Sequence, residues 1–149
     1  MESSSSFARL FTVEEANALL PVVRPLVEGI LDKIGRLKAK SAVVIRNEQI
    51  DPDTPDLMGR LHKNQEIAEL VKKIKSTVEE IERQGCVCKG LEQGLLDFPC
   101  LLGREVVFLC WQYGEAAVTH WHGVEEGFAG RRPLLEPEGT EPGGNTSYH

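Results

Sequence analysis

His120-Trp121-His122 is the sequence's clearest chemical pattern. On a β-strand, residues i and i+2 face the same way, so both imidazoles can address one metal ion. Neutral imidazole suits zinc, iron, copper or nickel. Two ligands do not make a site, and three further donors lie within reach of the pattern. Cys110 falls on a strand expected to pair with the His-x-His strand. Glu115 falls in the turn between them, and Asp97 in an Asp-Phe-Pro loop. The expected metal set is therefore His120, His122, Cys110, Glu115 and Asp97, with a transition metal such as zinc or iron as cofactor. The plain alternative is a half-exposed histidine pair beside a buried cysteine.

The same residues contain the types needed for thiol catalysis: Cys110 with His120 or His122 and a carboxylate from Glu115 or Asp97. Nothing in the spacing favours that reading, and the question of enzymatic activity stays open. Cys86 and Cys88 lie two apart, but Cys100 and Cys110 are ten apart. The four thiols thus lack the two close pairs of a structural zinc site.

A second neighbourhood is Gly127-Phe-Ala-Gly-Arg-Arg132-Pro133. Two glycines can bring backbone amides close to an anion, and Arg131 and Arg132 can supply forked donors. Trp111 and Trp121 offer flat faces for stacking. A small anionic ligand bound by Arg131, Arg132, Trp111 and Trp121 is the expectation here; the plainer one is a turn whose arginines pair with nearby carboxylates.

These residues need elements to position them. Thr12-Val-Glu-Glu15 is a capping box. Val13, Ala16, Leu20, Val23, Val27, Ile30, Ile34, Leu37, Ser41 and Val44 then recur at three- and four-residue steps, a heptad-like seam. Pro21 and Pro25 lie off the seam and predict a kink or a break, with a short helix ahead of the main one. Residues 51–56 read as a loop. Leu57, Leu61, Ala68, Val71, Ile74, Val78 and Ile81 form the stripe of a second helix closed by Gly85. A short loop between two such helices makes them antiparallel. Glu105–Trp111 is a buried strand by its β-branched and aromatic content, and Ala117–His122 returns beside it.

The fold expected is therefore α+β: a long antiparallel helical hairpin (12–84) followed by a small antiparallel β-meander (86–133) of three or four strands. Both lie in one domain, 11–135. Residues 1–10 read as a flexible leader without an apolar core, so not as a signal peptide, and 136–149 as a disordered acidic tail.

Several strings are also similar to a known family. Phe11-Thr-Val-Glu-Glu-Ala-Asn-Ala-Leu-Leu-Pro21, Gly94-Leu-Leu-Asp-Phe-Pro99, Leu109-Cys-Trp-Gln-Tyr-Gly-Glu115, Trp121-His122 and Gly127-Phe-Ala-Gly-Arg131 occur in this order. Together they resemble a small prokaryotic family designated domain of unknown function 2203, over about residues 10–135. The resemblance implies the same hairpin-plus-sheet fold and supplies no substrate, cofactor or catalytic assignment.

Composition narrows the rest. The chain has 149 residues, 41% hydrophobic and 27% charged, the balance of one globular domain. A net charge of −6 argues against a general nucleic-acid binder. No apolar run reaches the roughly 20 residues of a membrane span. Reduced thiols in the cytoplasm are the expectation without an export signal. The helical seam suggests self-association through the hairpin.

Overall fold

The computed structural model describes Phe7 and residues 9–134. The polar stretch 1–6 and the acidic tail 136–149 lie outside the described residues. Helix α1 is Val13–Asn47, α2 is Leu57–His62 and α3 is Gln65–Arg83. Five strands follow: β1 Val87–Gly90, β2 Leu95–Leu102, β3 Glu105–Gln112, β4 His120–Gly123 and β5 Arg132–Pro133. They form one antiparallel meander in the order β1-β2-β3-β4-β5. The chain is α+β, with one strand more than the sequence suggested. No helix among the described residues is long and apolar enough to cross a membrane.

The capping box forms as read. Thr12 Oγ1 accepts the Glu15 N–H and the Glu15 carboxylate accepts the Thr12 N–H. The prolines do not break the helix: α1 runs through Pro21 and Pro25 for 35 residues. Both sit on its exposed side. The lost hydrogen bonds and displaced carbonyls there face water, while Ala16, Leu20, Val23, Val27 and Ile30 stay buried on the other side.

The second helix does break. Asn64 adopts an extended conformation and its side chain accepts the Ile67 N–H, so it starts α3 with an N-cap. The apolar stripe is re-phased by this cap. Ile67, Ile74 and Ile81, seven apart, are the buried positions of α3, not Ala68. Lys40 of α1 pairs with Glu66 at the start of α3, while Arg9 donates to the Gln84 carbonyl at its end. Those two contacts fix the helices as antiparallel. Gly85 closes α3 at φ +104, a conformation that favours glycine.

The sheet has two unlike faces. Leu96, Phe98 and Cys100 of β2 and Val107, Leu109 and Trp111 of β3 join the α1 and α3 residues in one apolar core. A smaller cluster of Val44, Ile50, Leu61 and Ile67 closes the far end of the hairpin. The alternate residues, Asp97, Phe108, Cys110 and His122, point away from the helices.

Asp97-Phe98-Pro99 is not a loop but the middle of β2. A proline is tolerated there because β1 has ended: its last partner towards Pro99 is Asp97. The Pro99 carbonyl instead accepts the Phe11 N–H at 2.6 Å. Next to the leader, Phe7 packs edge-on to Phe108 at 5.5 Å, and Arg9 lies 3.9 Å over the Phe11 ring.

Candidate functional site

Strand register assembles the site. Asp97 of β2 stands opposite Cys110 of β3, and Phe108 of β3 opposite His122 of β4. Two factors set that register. Gly103, at φ +63, occupies the first central position of the two-residue turn joining β2 to β3, a place suited to glycine. The longer 113–119 connection is held by α1: Asn17 Oδ1 accepts the Val118 N–H at 2.7 Å, and Arg24 donates to the Glu115 and Ala116 carbonyls. Within the connection, Glu115 accepts the Gln112 N–H at 2.8 Å and its backbone carbonyl accepts the Trp111 indole N–H.

The result is a buried three-residue group. Asp97 is 1% exposed, Cys110 1% and His122 3%. One ligating atom from each lies within 4.8 Å of the other two. His122 Nε2 is 3.1 Å from both carboxylate oxygens of Asp97. Its Nδ1 is 2.8 Å from the Gly123 carbonyl. A carbonyl only accepts, so Nδ1 carries a proton. In neutral imidazole Nε2 then presents a lone pair to a carboxylate, which is repulsive. Something positive must stand between them, a proton or a metal ion.

Burial disfavours charge on both acids of the group. Burial pushes the Asp97 carboxyl above its ordinary range, against the pull of His122 and Lys89. Burial, then the Asp97 charge, pushes the Cys110 thiol up to about 12. At neutral pH the metal-free Cys110 is thus a thiol, not a thiolate, which counts against thiol catalysis.

A cleft of about 220 Å³ opens onto the three residues, with Lys89, Leu95, Gly127 and Phe128 among its walls. Lys89 comes from a β-bulge: Cys88 pairs with Leu96 and Gly90 with Leu95, so β1 has one residue more than β2. Its ammonium lies 4.6 Å over the Phe108 ring. Lys89 carries no signal in the sequence, because its place beside the site depends on the pairing of Val87 with Asp97.

The remaining expected residues are placed otherwise. His120 stands directly opposite Cys110, but its Nδ1 is 2.9 Å from Thr119 Oγ1, and it is not in the three-residue group. Burial, then the Arg131 charge, lowers its basicity. Glu115 is also outside the group, bound through both oxygens to Arg131 at 2.9 and 3.1 Å. Burial pulls the Glu115 carboxyl up, but Arg131 and the Gln112 N–H outweigh it and hold it low. Arg131 also lies 4.6 Å over Phe128. Arg132 pairs with Glu126 at 2.7 Å and lies 4.7 Å over Trp121. Trp111 is fully buried on the helix side of the sheet. Each guanidinium group thus bonds one carboxylate through its Nη2 nitrogen, and the buried Trp111 ring is closed to an outside ligand.

The family model for an uncharacterized conserved protein, DUF2203, matches residues 9–134. The chain belongs to this family. The match spans the whole meander and the three-residue group, so the family's matched region includes Asp97, Cys110 and His122. No curated protein and no solved structure matches the chain.

Proposed function

We propose that this protein binds a transition metal, zinc by first preference, through Asp97 carboxylate, Cys110 thiolate and His122 Nε2. The observation that carries the reading is the His122 geometry. Nδ1 is tied to the Gly123 carbonyl, and Nε2 faces two carboxylate oxygens that a neutral imidazole repels. An outer hydrogen bond of this kind is what usually orients a metal-binding imidazole. The 3.1 Å spacing is also close to the roughly 3.3 Å between two ligands about 2.0–2.1 Å from a tetrahedral zinc. Three protein ligands leave one position for water or a substrate, the arrangement of a working rather than a structural site. A thiolate ligand persists where thiols stay reduced, consistent with the cytoplasm.

Metal analysis of protein purified without a histidine tag tests this. One metal per chain is expected, lost in His122→Ala. Absence of metal, together with no thermal shift on adding zinc or iron, overturns the reading.

A second reading concerns assembly. We propose that the chain self-associates along the hairpin, a second copy covering the apolar groove of about 800 Å³ between α1, α2 and α3. The groove's wall includes Met58, which is 58% exposed. Ile34, Leu37 and Val78 of the wall continue the seam outward from the core. Light scattering is expected to show a dimer that Met58→Asp dissociates; a concentration-independent wild-type monomer rejects it.

A further inference from the structure

We propose that the cleft beside the metal centre takes a small organic carboxylate, held between the metal's fourth position and the ammonium of Lys89. The inference rests on the metal reading above and names the ligand class for the same site.

Charge balance is the first argument. A divalent metal, a thiolate, a carboxylate and a neutral imidazole sum to zero. Glu126, on the cleft wall, spends its carboxylate on the Gly123 N–H at 2.7 Å and on Arg132. Lys89 has no carboxylate bonded to it among the described residues, and its charge reaches Asp97. The loaded cleft therefore carries one surplus positive charge, and an anion complements it.

Placement is the second. Val87 stands opposite Asp97, so alternation puts Lys89, two residues on, on the site side of the sheet, and the Phe108 ring supports its ammonium from below. A lysine offers a compact charge on a flexible stem, suited to one end of a carboxylate while the metal takes the other.

Size and lining are the third. About 220 Å³ is below the roughly 300–1,000 Å³ of sites for drug-sized ligands. Leu95 and Phe128, the latter 38% exposed, give the walls an apolar component. A carboxylate with a short apolar body fits these walls better than a phosphate, which has only polar surface.

The test uses the full chain loaded with cobalt(II), titrated with butyrate while the cobalt d–d bands are followed. A saturable spectral change is expected in the wild type. Lys89→Met should keep the thiolate-to-cobalt band, showing an intact centre, and bind butyrate about tenfold more weakly or worse. Cobalt bound with no response to butyrate, or equal butyrate affinity in Lys89→Met, overturns the carboxylate inference and leaves the metal reading standing. Inorganic phosphate acting where butyrate does not also overturns it. Failure to form the thiolate-to-cobalt band overturns the metal reading and this one with it.

Discussion

His122 Nε2 stands 3.1 Å from each carboxylate oxygen of Asp97, a residue 25 positions earlier in the chain. The two side chains meet across β3, which lies between their strands and contributes Cys110. Because the Gly123 carbonyl claims the proton on Nδ1, this pair is stable only with a positive charge between its members. The proposed metal site and the pH response both turn on what supplies that charge, an ion or a proton.

Removing a ligand should cost more than removing an outer partner. Cys110→Ser is expected to weaken zinc binding by more than the roughly 10- to 100-fold that loss of an outer hydrogen bond costs. Competition against a chelator of known affinity measures it. The variant's circular dichroism should match the wild type, because serine fits the space left by the thiol.

In the metal-free protein two contributions to stability should fall as pH rises, while Glu115 and His120, whose values are lowered, contribute in the opposite sense. Asp97 has a folded value raised by burial, so its protonated form favours folding at low pH. That contribution is lost as pH climbs from the ordinary carboxyl range through the raised value. The thiols act the same way higher up. Cys86 and Cys110 are pushed to about 12, and Cys88 and Cys100 to about 11, from 9.0. Unfolded thiols ionise first, so stability falls again from about pH 9 upward. The melting-temperature difference between wild type and Asp97→Asn, followed against pH, reads the first contribution, and the wild-type fall above about pH 9 reads the second.

The break between α2 and α3 has its own signature. Asn64→Ala removes the side-chain cap on the Ile67 N–H and should cost about 1 kcal/mol in urea unfolding. Ile67 is fully buried, and Ile67→Ala should cost about 2–5 kcal/mol. If the helix were continuous, as the sequence stripe suggested, Ala68→Asp would be the damaging change and Asn64→Ala nearly neutral.

What the sequence displayed were the features built from local spacing. The Thr12/Glu15 capping box and the Ala16-to-Ile30 seam each lie within a few turns of one helix, so periodicity exposes them. Asp97 was read as part of a loop because Pro99 follows it. Only the structure shows that β1 stops short of Pro99 and that Phe11 takes the free carbonyl. The pairing of Cys110 with His120 is a matter of register, which local spacing does not fix. The connection that carries it is held by Asn17 and Arg24, about ninety to a hundred positions away in the chain. Which of His120 and His122 meets Asp97 depends on the strand pairing around β3, and the place of Lys89 on the pairing of β1 with β2; neither is a pattern in adjacent residues.

Glu115 tests how the connection is held. It satisfies Arg131, whose side chain is 13% exposed, and the Gln112 N–H. Glu115→Ala should cost roughly 2 kcal/mol, the scale of hydrogen bonds to charged groups, while leaving one metal per chain. Loss of the metal with unchanged stability would instead make Glu115 a ligand.

The most direct test of the account is zinc K-edge absorption on the wild-type chain loaded with one equivalent of metal. Asp97, Cys110 and His122 predict a single sulfur neighbour at about 2.3 Å, with the remaining neighbours oxygen or nitrogen at about 2.0–2.1 Å. The sulfur should vanish in Cys110→Ser. A shell without sulfur, or one with two sulfurs pointing to Cys86 and Cys88, would contradict it.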